Sequence, residues 1–197
     1  MIANKHISKI KAARDYNHPK LAVSLGLPTT EETLDTLHRV ATQVSLAEIR
    51  LDLMAEFDVE RLIAASPCQL ILTHRPIREG GKFAGSETER LQPLLKAIEL
   101  GAAHVDIEWD TVASLLAQKP ASPSQIMVSH HTFDGMPSDL TGLHRKLSQS
   151  GADIVKVVGF AKQAADTVEM IHRWRLRIIC PSNERFRIRL LLVRSIL

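Results

Sequence analysis

The feature that most constrains this chain is an alternation. Short runs rich in Val, Ile and Leu recur at intervals of roughly 26 residues, separated by longer stretches with helical spacing of apolar side chains. The runs cover residues 20–25, 47–52, 69–75, 104–108, 125–131, 154–158 and 176–180, and helical patterns cover 30–43, 87–100, 138–149 and 162–173. Several helices open on Ser, Thr or Asp caps, and Gly101 and Gly151 close two of them. A strand followed by a helix, repeated, is a βα unit, and such units build parallel sheets. The expected fold is α/β, a (β/α) TIM-type barrel. Its complete form has eight strands and about 250 residues, so 197 residues read as an incomplete barrel of about seven units. The rival, a doubly wound sheet, lacks its Gly-rich phosphate turn, because Ser24-Leu25-Gly26-Leu27-Pro28 follows the first run. One domain over 1–197 is expected, with 181–197 a divergent basic tail.

Strands of such a barrel are covered on both sides, so an ionisable group inside one is costly unless it is paired or functional. Five consecutive runs carry polar groups of this kind. Glu48, Arg50 and Asp52 alternate with Ile49 and Leu51, which puts the charges on one strand face. Arg75 ends the third run, Asp106 and Glu108 share a face of the fourth, Ser129 and His131 share a face of the fifth, and Lys156 stands inside Ile-Val-Lys-Val-Val. Singly, each has an ordinary explanation: a lysine that snorkels at an edge, a satisfied core histidine, or an Arg75 in a structural ion pair with Glu108 or Glu48. Together they fall toward strand C-terminal ends, the mouth where barrel enzymes keep their chemistry.

A lysine among valines is penalised for its charge, so its pKa is expected to fall and release a nucleophilic amine. That amine condenses with a ketone to an iminium, which acidifies the neighbouring C–H and lets a β-hydroxyl leave. His131, with an ordinary pKa of about 6.5, suits both proton transfers, and Glu108 is the candidate to orient it. The arginines suit a substrate carboxylate, which a guanidinium fork grips twice. The expected class is a dehydratase or aldolase of a polyhydroxylated keto acid, without metal or cofactor. Neither Cys68 nor Cys180 belongs to a CxxC, and His130 and His131 have no HxH or HExxH spacing.

The net charge of +3 is local. Residues 173–197 hold seven of the 25 basic residues and one of the 22 acidic ones, leaving 18 basic against 21 acidic elsewhere. No nucleic-acid partner is therefore expected. No apolar run reaches the length of a membrane helix, and Lys5, His6, Lys9, Lys11 and Arg14 interrupt any signal-peptide core. A soluble cytoplasmic protein with two buried thiols is the expectation.

Five ordered motifs then carry a resemblance: Glu48-Ile49-Arg50-Leu51-Asp52, Thr73-His74-Arg75 with Glu79-Gly80-Gly81, Val105-Asp106-Ile107-Glu108, Ser129-His130-His131-Thr132-Phe133 and Ala152-Asp153-Ile154-Val155-Lys156-Val157. In order and spacing, over residues 20–173, they resemble the type I 3-dehydroquinate dehydratases of the shikimate pathway. The resemblance implies an eight-stranded (β/α) barrel, a homodimer, and syn elimination of water from 3-dehydroquinate through a lysine imine to give 3-dehydroshikimate. It implies Lys156 as the Schiff-base lysine, His131 as acid and base, and Glu108 as the carboxylate supporting the histidine. Glu48, Arg50 and Arg75 match substrate-binding positions, and Arg189 falls at the spacing of the family's carboxylate-binding arginine. His130 matches no catalytic role and is expected to face away.

The segment Arg185-Phe186-Arg187-Ile188-Arg189 departs from the family's Gly and Ser pattern, and the family's eighth strand and lid loop are not in the sequence. Impaired turnover is therefore expected. A relative that binds the ligand without turning it over stands as the alternative, and another lysine-imine lyase, a sugar aldolase, as a third.

Overall fold

The structure is a computed structural model that describes residues 22–163 and 165–166. Six strands, β1 (Ala22–Leu25), β2 (Leu46–Arg50), β3 (Gln69–Thr73), β4 (His104–Glu108), β5 (Gln125–His131) and β6 (Ile154–Val158), form one sheet. All neighbours are parallel and the spatial order is the sequence order. A doubly wound sheet reverses its order part-way, so this topology is that of a (β/α) barrel, incomplete among the described residues. The expected seventh strand, the helix beyond residue 166, Cys180, Arg189 and the basic tail lie outside the described residues.

Five helices make the crossovers: α1 (Thr30–Val40), α2 (Val59–Ala65), α3 (Glu87–Glu99), α4 (Val112–Gln118) and α5 (Leu140–Ser148). Local chemistry starts them where the sequence signals. The Thr29, Asp58 and Asp139 side chains accept from backbone N–H groups of the first turn, and Ser86 and Glu89 form a reciprocal capping box. Gly101 and Gly151, both at positive φ, end α3 and the turn after α5.

Strand alternation sorts the residues between two layers. Ala47, Ile49, Leu72, Val105, Ile107, Ile126, Val128 and Val157 are fully buried and join the main core beneath the helices. Their neighbours point to the other face, where Leu46, Ile71, Met127 and Ile154 form a small apolar plug toward the N-terminal ends. Above the plug the same face turns polar. Cys68 is half-buried at the edge of the main core, less covered than expected.

The sheet is strongly curled. β2 and β6 are four strands apart, about 19 Å on a flat sheet at roughly 4.8 Å per step, yet Lys156 Nζ on β6 lies 3.1 Å from Glu48 Oε1 on β2. Curling wraps the polar face inward and makes one enclosed layer of it.

Candidate active site

Register explains which side chains meet. Arg50 is level with Thr73, Thr73 with Asp106, Glu108 with Ser129, Ser129 with Lys156, and His131 with Val158. With period 2, Glu48, Arg50, Thr73, Asp106, Glu108, Ser129, His131 and Lys156 therefore share the inner face, as the alternation of charges predicts. Asp52 and Arg75 lie just beyond their strands, Asp52 in a 3-10 turn (Leu51–Leu53) and Arg75 two residues past β3.

Lys156 donates to Asp106 Oδ2 at 2.9 Å and to Glu48 Oε1 at 3.1 Å, and Thr73 Oγ1 donates to the same Glu48 oxygen at 2.9 Å. The expected fall in the lysine pKa is corrected here. Burial does press it down, but Asp106 and Glu48 outweigh burial and hold it above the ordinary lysine value. The valines beside Lys156 are visible in the sequence, whereas these carboxylates arrive from strands two and four places away. Reciprocally, burial raises Glu48 and Asp106, but the cations prevail: Lys156 and Arg75 keep Glu48 below its usual range, and Arg75, Lys156 and His131 keep Asp106 below its own.

Arg75, 3% exposed, is the positive centre of the layer. Its Nη1 donates to Glu108 Oε1 at 2.9 Å and Ser129 Oγ at 3.1 Å, and its Nη2 lies 3.1 Å from Asp106 and 3.9 Å from Glu48. Of the two partners offered as alternatives for it, Glu108 is in hydrogen-bond contact and Glu48 stands at the outer range of an ion pair, and Asp106 is a third. Arg50, more exposed, is gripped through Nε and Nη2 by Asp52 at 2.8 and 2.7 Å.

The partner expected for His131 is also corrected. Glu108 is level with Ser129, one step short of the histidine, and its oxygens are taken by Arg75 and by Arg90 of α3. Glu79, from the 3-10 turn Ile77–Glu79 after β3, does what Glu108 was expected to do. Its Oε2 accepts from the His131 backbone N–H at 2.7 Å and lies 3.0 Å from ring Nδ1. Arg75 Nη1 also approaches Nδ1, at 3.1 Å. Glu79 can only accept and Arg75 can only donate, so the two neighbours of Nδ1 favour opposite tautomers, and Glu79 alone favours the charged ring. Burial holds His131 below its ordinary pKa, with Glu79 opposing. His130 pairs with Val157 on the outer face, as expected, but its Nδ1 still reaches Glu79 Oε1 at 3.3 Å.

Asp106 and Ser129 belong to this site by the same alternation that singled out Glu108 and His131, with Ser129 donating to Asp106 at 2.5 Å. Glu79 had no such signal, because it sits in a turn where no periodicity applies. Among the described residues no group of three His, Cys, Asp or Glu is placed to hold a metal ion. No helix among them is long and apolar enough to cross a membrane.

A lysine, a histidine held by a carboxylate, and accessible acid and arginine in one barrel mouth suit imine chemistry on a hydroxylated keto acid. Comparison with known proteins agrees, since the model of the type I 3-dehydroquinase family matches residues 21–176. The chain belongs to the type I 3-dehydroquinase family. It is 39% identical over 137 residues to a bifunctional 3-dehydroquinate dehydratase/shikimate dehydrogenase of Arabidopsis thaliana, covering 64% of this chain and 23% of that protein. It is 32% identical over 160 residues to a 3-dehydroquinate dehydratase of Desulfotalea psychrophila, covering 77% of this chain and 69% of that one. The crystal structure of the Geobacillus kaustophilus 3-dehydroquinate dehydratase superposes with a TM-score of 0.69 at 25% identity, over 80% of this chain and 68% of that chain. The type I 3-dehydroquinase fold is therefore shared across most of the described sheet.

Proposed function

We propose that this chain dehydrates 3-dehydroquinate to 3-dehydroshikimate through an imine on Lys156. The observation that carries the reading is the placement of the Lys156 amine inside the barrel, beside the strand that carries a histidine whose Nδ1 is held by Glu79. Substrate entry displaces Glu48, the more accessible of the two carboxylates on Lys156. Neutral His131 takes one proton from the Lys156 ammonium, the freed amine attacks the ketone, and the histidine returns that proton to the carbinolamine hydroxyl as it leaves as water. Loss of water from the carbinolamine gives the iminium. His131 takes the adjacent proton, Glu79 stabilises the resulting imidazolium, and the same proton goes to the leaving β-hydroxyl, which departs as water. Hydrolysis of the conjugated iminium returns the amine and the enone. Arg50, the more exposed guanidinium, faces substrate oxygens, with Arg189 assigned to its carboxylate by the resemblance. A cytoplasmic homodimer belongs to the same reading, and sedimentation of the purified chain checks the dimer.

Borohydride added during incubation with 3-dehydroquinate is expected to fix the reduced ligand on Lys156, seen as added mass on its peptide, and absorbance of the conjugated enone is expected to rise. An unmodified lysine in a folded protein removes the imine mechanism. Thermal stabilisation by the ligand without trapping or absorbance identifies a binding-only relative.

A further inference from the structure

Arg90 lies on α3, which covers β3 and β4 from outside the sheet, and not on any strand of the mouth. Its side chain is fully buried, on a helix whose other buried positions are Leu91, Leu94, Ala97 and Ile98. An arginine at such a position is costlier than an apolar side chain of similar volume unless its charge is matched and its N–H groups are placed. They are. Nε and Nη2 donate to Glu87 Oε2 at 3.0 and 2.8 Å, and Nη1 donates to the His74 carbonyl oxygen at 3.0 Å. The same Nη1 stands 2.5 Å from Glu108 Oε2. His74 Nδ1, 3.1 Å from the Arg90 carbonyl oxygen, ties the end of β3 to the helix a second time.

The other oxygen of Glu108 accepts from Arg75, and Arg75 in turn lies on Asp106, which holds Lys156. A chain of alternating charges therefore runs from the first turn of α3, through the sheet, to the proposed nucleophile. We propose that Arg90 is a positioning residue for the dehydration, an inference that rests on the function proposed above. By holding Glu108 Oε2 from outside the sheet, it keeps Glu108 Oε1 on Arg75 and Arg75 in the place that orders Asp106 and Lys156.

Glu108 Oε1 accepts a hydrogen bond from Arg75, whereas Oε2 accepts none and is held by Arg90 as a close opposite charge, so Arg90 restrains the carboxylate by attraction. The same contacts favour its charged form. Burial pushes the Glu108 carboxyl up to about 7 even with Arg75 and Arg90 pulling it down, and Asp106 adds to the upward push. Without Arg90, Glu108 protonates at higher pH and grips Arg75 less firmly.

The test is a double-mutant cycle on the full chain, with kcat/KM for 3-dehydroquinate followed from pH about 5.5 to about 9. Arg90→Met is expected to lower kcat/KM on the order of 10- to 100-fold and to move the acidic limb to higher pH. Arg90→Lys recovers part of the loss, and Arg90→Met with Glu108→Gln is no worse than Glu108→Gln alone. Losses that multiply in the double variant, or an Arg90→Met enzyme with wild-type rate and pH profile, overturn the proposal. Thermal unfolding checks that each variant is folded. If Arg90→Met is not, Arg90→Lys carries the test, and an acidic limb unchanged from wild type overturns the proposal. A wild type that neither turns over nor is trapped at Lys156 overturns the dehydratase reading and this inference with it. Failure of Arg90 variants beside an active wild type concerns Arg90 alone.

Discussion

Glu79 Oε2 holds His131 twice, accepting from its backbone N–H at 2.7 Å and lying 3.0 Å from its ring Nδ1. One carboxylate thus ties the strand end and favours the imidazolium. Glu79→Gln keeps the shape and removes the charge. The His131 pKa, already held below its ordinary 6.5 by burial with Glu79 opposing, is expected to fall further. The acidic limb of kcat should therefore move to lower pH, with a loss of about 10- to 100-fold in kcat. NMR titration of the His131 ring is the direct measurement, and a midpoint equal to wild type contradicts the role given to Glu79.

Asp106 is fully buried between Arg75, Lys156 and Ser129. Its folded pKa is depressed, so it contributes stability that is present above its unfolded pKa of about 3.9 and is lost as pH falls through the folded value. At pH near 7, Asp106→Asn leaves two buried cations short of a partner and is expected to cost about 3–5 kcal/mol. Denaturant unfolding from pH about 7 to about 3 should show that gap beginning to narrow below about pH 4, as the unfolded chain takes up a proton at Asp106 while the folded protein keeps it ionised. A gap that widens on acidification contradicts the assignment.

The Asp52 side chain is 0% exposed and accepts from the Arg50 guanidinium and from the backbone N–H groups of Arg75, at 3.2 Å, and Lys82, at 3.0 Å. One acid thereby ties the end of β2 to both ends of the loop carrying Glu79. Asp52→Ala strips buried donors of their acceptor and is expected to destabilise the fold by about 2–4 kcal/mol. KM should rise as well, because Arg50 loses its orientation. Calorimetry and steady-state kinetics measure the two effects separately.

Gly81 makes the loop after β3 possible. A Cβ there would stand 2.0 Å from the Arg75 carbonyl oxygen and 2.4 Å from its carbon, which are backbone atoms that cannot swing aside. Gly81→Ala is expected to shift Arg75 and lower kcat/KM on the order of 10- to 100-fold. Gly101→Ala is the control, because no atom lies within 4 Å of its added Cβ although its φ of +78° strains the turn. It should cost about 1–2 kcal/mol of stability and leave kcat/KM near wild type.

The parts of the site that lie inside strands are legible in the sequence. β4, β5 and β6 coincide with the expected runs, and Lys156, His131, Glu48 and Arg50 fall on the face that their spacing assigns. Two expectations fail for one reason, that contacts across the sheet leave no local pattern. Glu108 is the natural partner of His131 on sequence grounds because their strands are neighbours, but the register stops it at Ser129 and two arginines claim it. The adjacent valines point the lysine pKa downward, whereas Asp106 and Glu48 decide it.

The sequence by itself determined the βα alternation, the helix caps and the face on which each strand carries its charge, because these depend on neighbours one to four residues apart. Only the tertiary structure decided who pairs with whom. The curl of the sheet brings Lys156 to Glu48 across 108 residues, and the turn after β3 carries Glu79 to His131 across 52. The packing of α3 sends Arg90 through to Glu108. Those distances are set by how strands stagger and bend around a common interior, which no short stretch of chain encodes.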